Sequence, residues 1–140
     1  MIKGKVAVIT GGTRGIGLAT VKKFLENGAE VILFGSRKET ADKAVERLKA
    51  ENPQWPVHGA WPNLSDAKAV ADEMQKIKEQ YGKIDILVNN AGISQSTKIE
   101  DYDPADFDKI MDLNVKALFY TIQPVVKIMK EQGGGCILNT

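Results

Sequence analysis

The sequence predicts an α/β fold, a doubly wound parallel sheet with helices on both faces. Short apolar runs alternate with longer amphipathic helical patterns along the chain, and glycine or asparagine turns separate them. The first run, Val6 to Ile9, contains no charged residue, which suits a strand covered on both faces. Alternation of this kind indicates βαβ units with right-handed crossovers.

The first two helices are predicted from their apolar spacing and their stop signals. The first places Leu18, Val21 and Leu25 on one face and ends at Asn27-Gly28, where glycine supplies a left-handed cap. The second repeats the apolar spacing and ends at Asn52-Pro53, because a residue before proline avoids the helical conformation.

The third and fourth helices are predicted in the same way. We expect Ser65 to cap the start of the third and Gly82 to end it. Asp103-Pro104 opens the fourth, whose apolar stripe runs from Phe107 to Met129, and we expect a kink about one turn before Pro124. In chain order, the predicted strands cover 6–9, 30–34, 57–60, 84–88 and 136–139, and the predicted helices cover 15–27, 38–51, 66–81 and 104–130.

A glycine turn, TGGTRGIG from Thr10 to Gly17, joins the first strand to the first helix. Its glycines let the backbone approach a diphosphate, and the helix start offers free N–H groups and a partial positive charge. The alternative is a glycine-rich turn that binds nothing. Residues 36–37, 63–64 and 89–92 also follow strands, so they fall on the same edge of a parallel sheet. This convergence favours a nucleotide-binding site over an empty turn.

Composition bounds the class of protein. The 140 residues are expected to form one domain, 1–140, and a net charge of +1 favours neither a nucleic acid nor a membrane surface as partner. We expect the one cysteine, Cys136, to pack as a small apolar residue, and it cannot form an internal disulfide. With no membrane-length apolar stretch and no signal peptide in the sequence, we expect a cytoplasmic protein. The aspartates between 101 and 112 surround a helix start, so no metal site is expected.

Three motifs in this order resemble the short-chain dehydrogenase/reductase family. The glycine turn has the TGxxxGxG spacing of its main branch, with Thr10-Gly11, Gly15 and Gly17. Residues Asn89-Asn90-Ala91-Gly92 match its NNAG motif, and Asn114 matches its helix asparagine. The resemblance covers the whole chain and extends to 3-oxoacyl-carrier-protein reductases and hydroxysteroid dehydrogenases.

The resemblance implies a Rossmann-type sheet with strand order 3-2-1-4-5 and further strands after Thr140. It implies hydride transfer between a nicotinamide and a carbonyl or alcohol carbon. The family's chemistry uses an asparagine, a serine, a tyrosine and a lysine, and only the asparagine, Asn114, has a match here. A structural asparagine that bonds backbone is the alternative for that residue. For the chain, the alternative is an inactive fragment or minimal nucleotide-binding domain.

The same resemblance, with charge, predicts the cofactor. No acidic residue lies between Val31 and Lys38 to hold a ribose hydroxyl, and arginine suits a 2′-phosphate, so NADP(H) is preferred over NAD(H). The alternative is that the arginines are solvated surface charges. Asn63 departs from the family's aspartate, and Leu64 is expected near the adenine. The predicted cofactor-binding residues are Gly11, Thr13, Arg14, Gly15, Ile16, Gly17, Ser36, Arg37, Asn63, Leu64, Asn90, Ala91 and Gly92.

The resemblance also implies partners. The expected substrate is a small-molecule or acyl-carrier-bound carbonyl compound, such as a 3-oxoacyl thioester, a steroid ketone or a small ketone. A homodimer or homotetramer is expected to form through the long helix 104–130. Neither nucleic acid nor membrane is expected as a partner.

Overall fold

A computed structural model describes all 140 residues. Five parallel strands form one sheet in the order β3-β2-β1-β4-β5, which confirms the predicted fold class and strand order. The strands are β1 (Val6–Thr10), β2 (Glu30–Phe34), β3 (Val57–Ala60), β4 (Ile86–Asn89) and β5 (Cys136–Asn139). The helices are α1 (Gly15–Glu26), α2 (Lys38–Glu51), α3 (Ala67–Tyr81), α4 (Pro104–Met111) and α5 (Ala117–Gln132), with a 3₁₀ turn at Ile99–Asp101.

The core forms two layers because successive strand residues face opposite sides of the sheet. Ile9 of β1 belongs to the cluster that α1 and α2 cover, where Val21 is fully buried. Val8 faces the other cluster, which Met74 of α3 and Val125 of α5 close. Every residue of β1 is buried, so the uncharged run at the start of the chain is the centre of the sheet.

The sequence predicts one continuous α-helix from 104 to 130, but the structure interrupts it. A π-helical segment, Asp112–Lys116, separates α4 from α5, whereas α5 continues through Pro124 to Gln132. The irregularity therefore falls earlier than the predicted kink before Pro124. It coincides with Asn114, whose side chain bonds a neighbouring loop, and wide turns of this kind accommodate such contacts.

Two smaller expectations were wrong. Asp66, not Ser65, caps α3, because its Oδ1 accepts from the Ala69 N–H at 3.1 Å while Asn63 Oδ1 holds the Ser65 N–H at 3.0 Å. Cys136 is exposed rather than packed, because β5 is an edge strand with a single neighbour. None of the helices combines the length and the apolarity that crossing a bilayer requires.

The parallel strands give the sheet two distinct edges. All carboxyl ends lie at one edge, here called the carboxyl edge, and the opposite one is called the amino edge. The loops that follow β1, β2, β3 and β4 meet at the carboxyl edge, and they contain most of the predicted site residues; Gly15, Ile16 and Gly17 lie in the first turn of α1, and Asn114 lies in the π-helical segment.

Candidate nucleotide-binding site

The glycine turn is closed tightly over the end of β1. Gly11 and Gly15 have φ angles of +62° and +56°, a region that favours glycine. A Cβ atom on Gly17 would collide with the Gly11 carbonyl oxygen and would lie 2.6 Å from Asn90 Nδ2. Only glycine fits at this position, so the turn packs directly against the Gly11 backbone, whereas Gly15 faces open space.

The segment after β4 is fixed to this turn by a buried threonine. Thr10 Oγ1 accepts hydrogen bonds from the N–H groups of both Asn90 and Ala91, each at 3.0 Å. Asn90 Nδ2 donates in turn to the Gly11 carbonyl at 3.3 Å. A Cβ on Gly11 would come within 2.9 Å of the Ala91 Cα, so the two segments touch through backbone. The glycine turn and the NNAG segment therefore form one rigid unit.

The first turn of α1 has free backbone N–H groups beside the glycine turn and the NNAG segment. The Leu18 N–H to Arg14 carbonyl bond, at 3.2 Å, is the first of the helix, so the N–H groups of Gly15, Ile16 and Gly17 precede the intrahelical ladder. Arg14 gives no side-chain cap, and the first turn holds no acidic residue. Ile16 is 75% exposed. Free N–H groups without a nearby carboxylate suit an anionic group such as a phosphate.

Cationic and hydroxyl groups lie at the end of the neighbouring strand. Ser36 and Arg37 follow β2 and are exposed, and Arg37 is the N-cap residue of α2. Thr13 packs towards them, since a Cβ on Gly35 would lie 2.9 Å from Thr13 Cγ2. The acidic residue of β2, Glu30, lies at the amino edge, where its Oε1 is 3.0 Å from His58 Nε2.

Residues Asn63 and Leu64 already have partners within the chain. Asn63 Oδ1 accepts from the Ser65 N–H and closes a turn after β3. Leu64 is half-buried and packs against the core cluster beneath α3. The structure brings both to the carboxyl edge, in positions that also serve the fold.

Asn114 ties the π-helical segment to the loop after β4. Its Oδ1 accepts from the Ile93 N–H at 2.9 Å, and its Nδ2 donates to the Ile93 carbonyl at 2.8 Å. A Cβ on Gly92 would lie 3.2 Å from the same Oδ1. Both ends of the amide therefore bond backbone, which is the structural role that the sequence left open, and this places Asn114 beside the NNAG segment.

The sequence analysis missed a second polar contact at this edge. Thr121 of α5 and Asn89 of β4 are buried and bond to each other, and Asn89 also reaches Asn139 of β5. A hydroxyl on the sheet-facing side of an apolar helix was the available signal for Thr121, because such a group needs a partner.

Comparisons with known proteins identify close relatives. A 3alpha-hydroxysteroid dehydrogenase of Mediterraneibacter gnavus is 58% identical over 140 residues, which are 100% of this chain and 56% of that protein. The 3-oxoacyl-acyl-carrier-protein reductase FabG of Chlamydia pneumoniae is 38% identical over 136 residues, 97% of this chain and 54% of that protein. The crystal structure of a metagenomic short-chain oxidoreductase in complex with NADP aligns with a TM-score of 0.89 at 29% identity, covering 99% of this chain and 62% of that one.

The chain spans about half the length of the curated relatives that it matches. The family model described as short chain dehydrogenase matches residues 5–140. The motifs that resembled this family in the sequence lie together at the carboxyl edge, on the predicted sheet. The chain belongs to the short-chain dehydrogenase family.

Proposed function

We propose that the chain is the cofactor-binding part of an NADP(H)-dependent oxidoreductase that acts on a carbonyl or secondary-alcohol carbon, with 1–140 as one dinucleotide-binding domain. The observation that carries the proposal is the closed glycine turn, which leaves Gly15 facing open space and the first N–H groups of α1 without intrahelical partners. The names of the relatives, a hydroxysteroid dehydrogenase and an oxoacyl reductase, support this class of reaction.

The residues present fit such a cofactor. A Cβ on Gly15 would meet nothing within 4 Å, so a diphosphate can approach the turn there, and the N–H groups at the start of α1 would bind it. When bound, the nicotinamide donates or accepts the hydride. The residues proposed to hold the cofactor are Gly11, Thr13, Arg14, Gly15, Ile16, Gly17, Ser36, Arg37, Asn63, Leu64, Asn90, Ala91 and Gly92.

The preference for NADP(H) rests on charge at the end of β2. Arg14 and Arg37 belong to no ion pair in the structure, and Glu30 is turned to His58 at the amino edge. Two free guanidinium groups with the hydroxyls of Thr13 and Ser36 suit a 2′-phosphate better than two ribose hydroxyls. The NADP complex of a structural relative supports the same preference.

Of the asparagine, serine, tyrosine and lysine that the family uses in catalysis, this chain is proposed to supply the asparagine, Asn114. It holds Ile93 by two hydrogen bonds and so fixes the loop that leaves the NNAG segment.

The test uses the full-length protein. Titration of NADPH and NADH against intrinsic fluorescence measures affinity, and a panel of a 3-oxoacyl thioester, a 3-oxosteroid and a small ketone measures turnover. We expect NADPH to bind more tightly than NADH and at least one carbonyl compound to be reduced. A folded full-length protein that binds neither nucleotide would contradict the proposal.

A second candidate concerns the 140 residues alone. Four residues after Tyr81, Tyr102 and Tyr120 stand Asp85, Asp106 and Pro124, so none belongs to a Tyr-x-x-x-Lys pair. Burial, with Glu30 and Glu73 nearby, also raises the pKa of Tyr81, which disfavours proton transfer near neutrality. By itself this chain is proposed to bind nucleotide without turnover, and the same assays on residues 1–140 test this.

The protein is also proposed to form a homodimer or homotetramer. A cytoplasmic location is proposed as well, because a free cysteine suits a reducing compartment. An exposed apolar stripe supports the assembly: Phe107, Met111, Val115 and Phe119 recur every four residues and are 53%, 36%, 49% and 60% exposed. Sedimentation of the full-length protein should show an oligomer that Phe119→Glu weakens, and a monomeric protein would contradict it.

A further inference from the structure

Three polar side chains are buried in the chain, and all three lie at the carboxyl edge. Thr10, Asn89 and Thr121 are 2%, 3% and 1% exposed. Thr10 fixes the backbone after β4. The Thr121 hydroxyl donates to Asn89 Oδ1 at 2.7 Å, a shorter contact than its 3.0 Å distance to the Leu118 carbonyl of its own helix. A buried polar group is costly without a partner, so this pair must hold a specific geometry.

Asn89 connects Thr121 to the end of β5 through further hydrogen bonds. Its Nδ2 donates to Asn139 Oδ1 at 2.9 Å, and the two residues are paired in register across β4 and β5. Its carbonyl accepts from the Thr140 N–H at 3.1 Å. Because Thr121 occupies the amide oxygen of Asn89, the amide nitrogen is turned towards Asn139. Thr121 therefore sets the orientation of the side chain that holds the end of β5.

The end of β5 lies beside the nucleotide site. Within these 140 residues, β5 pairs with β4. The Thr140 hydroxyl lies 3.3 Å from Asn90 Oδ1, and Asn90 in turn bonds the Gly11 carbonyl. The chain covers 56% and 54% of two of its relatives, so in those proteins further residues lie outside the matched part.

We propose that Thr121 is a positioning residue for the hydride-transfer reaction: through Asn89 and Asn139 it fixes where the chain leaves β5 beside the nucleotide site. The inference rests on the proposed function. Thr121 is separated from that site by Asn89, so its effect is on the placement of the groups that follow Thr140. Small displacements of such groups are costly, because reacting atoms must meet at short distance and in a defined orientation.

The test compares Thr121→Val with Thr121→Ser in the full-length protein. Valine keeps the volume and removes the hydroxyl, whereas serine keeps the hydroxyl. Gln75→Leu is the control, because the exposed Gln75 side chain bonds only Glu79 within α3 and reaches no second element. For Thr121→Val we expect kcat to fall roughly 10-fold while the NADPH dissociation constant stays within about 2-fold, and Thr121→Ser should retain kcat.

Asn139→Leu breaks the same chain of bonds on the exposed strand, so it serves where Thr121→Val does not fold. It should lower kcat to a similar extent, and the double variant should fall no further, because both changes act through Asn89. A kcat for Thr121→Val or Asn139→Leu equal to that of Gln75→Leu would overturn the inference, as would an equal loss for Thr121→Ser. Wild-type protein that reduces none of the carbonyl compounds would instead remove the proposed function, and this inference with it.

Discussion

The two edges of the sheet differ in how their polar side chains are engaged. At the amino edge, Asp85 Oδ2 accepts from the Val6 N–H at 2.9 Å and lies 3.0 Å from Lys83 Nζ. Gln132 bonds both the N–H and the carbonyl of Ile84, which fixes the end of α5 to the sheet. Polar groups at this edge satisfy one another, so they contribute to stability and leave little for a ligand.

The carboxyl edge is open by contrast. The side chains of Arg14, Ser36 and Arg37 have no ion pair or hydrogen bond within the chain, and the first N–H groups of α1 precede its hydrogen-bond ladder. Groups that are left unsatisfied in a folded protein are the ones that a ligand can engage. Substitutions at the two edges should therefore separate nucleotide binding from stability.

The largest expected effect is that of Gly17→Ala at the carboxyl edge. The new Cβ would collide with the Gly11 carbonyl and crowd Asn90 Nδ2, so the turn has to move away from its closed form. We expect NADPH affinity to fall on the order of 100-fold, since overpacking at such a contact costs about 1–3 kcal/mol and also displaces the binding groups. Fluorescence titration of the full-length variant measures this loss.

Gly82→Ala is the matched control for this substitution. Gly82 ends α3 with φ +84°, but a Cβ there meets nothing within 4 Å. It should cost about 1 kcal/mol of unfolding free energy from backbone strain and leave NADPH affinity unchanged. Equal losses of affinity in the two variants would mean that the turn is sensitive to global stability and not to the local collision.

Asn114 is an exception at the carboxyl edge, because both ends of its side-chain amide already form hydrogen bonds within the chain. Asn114→Leu removes both bonds to Ile93, so the loop after the NNAG segment loses its fixed position. We expect kcat/KM to fall roughly 30-fold with a loss of about 1–2 kcal/mol in stability, as for two partly solvated hydrogen bonds. Gln75→Leu, which breaks a contact to Glu79 on exposed α3, should change neither quantity. Unchanged turnover in Asn114→Leu would exclude a role for this asparagine in the reaction.

Local patterns predicted the fold and the open groups of the site well. The uncharged run of β1 and the apolar spacing of α1 and α2 are short-range signals, and the structure has them where the sequence placed them. The glycine turn was predictable because a Cβ fits at neither Gly11 nor Gly17, a constraint of the backbone itself.

What the sequence did not predict depends on contacts between distant residues. The π-helical segment around Asn114 reflects a bond to Ile93, which lies 21 residues away, and the Thr121–Asn89 contact joins positions 32 apart. The exposure of Cys136 depends on which strand is at the edge, and composition carries no information about that. Helical periodicity describes one element at a time, so it does not predict contacts between residues of different elements.

Arg37→Ala should have a smaller effect, confined to one nucleotide. The guanidinium has no ion pair in the chain, so its removal is expected to leave stability unchanged. NADPH affinity should fall about 10-fold and NADH affinity should not change, since a partly hydrated charge-assisted contact to phosphate is lost. Arg47→Ala on the exposed face of α2 is the control. A parallel loss of affinity for both nucleotides would argue against a 2′-phosphate contact.

The smallest effect is expected at the amino edge, from Asp85→Asn, and it should depend on pH. Burial alone would raise the pKa of Asp85, but the Val6 N–H and the Lys83 ammonium outweigh it and lower the pKa below its ordinary value. A carboxylate with a lowered pKa in the folded state stabilises the protein above its unfolded-state pKa of about 4, and this contribution disappears as the pH falls through the folded-state value. Asp85→Asn should therefore cost about 1 kcal/mol at neutral pH and progressively less below about pH 4, with NADPH affinity unchanged. Urea unfolding of the full-length protein across this range measures the difference, with Asp72→Asn in the exposed Lys68 pair as the control. If the difference in unfolding free energy between Asp85→Asn and the unsubstituted protein stays constant down to pH 3, the charge of Asp85 does not contribute to stability. The amino edge would then not differ from the open carboxyl edge through electrostatic interactions.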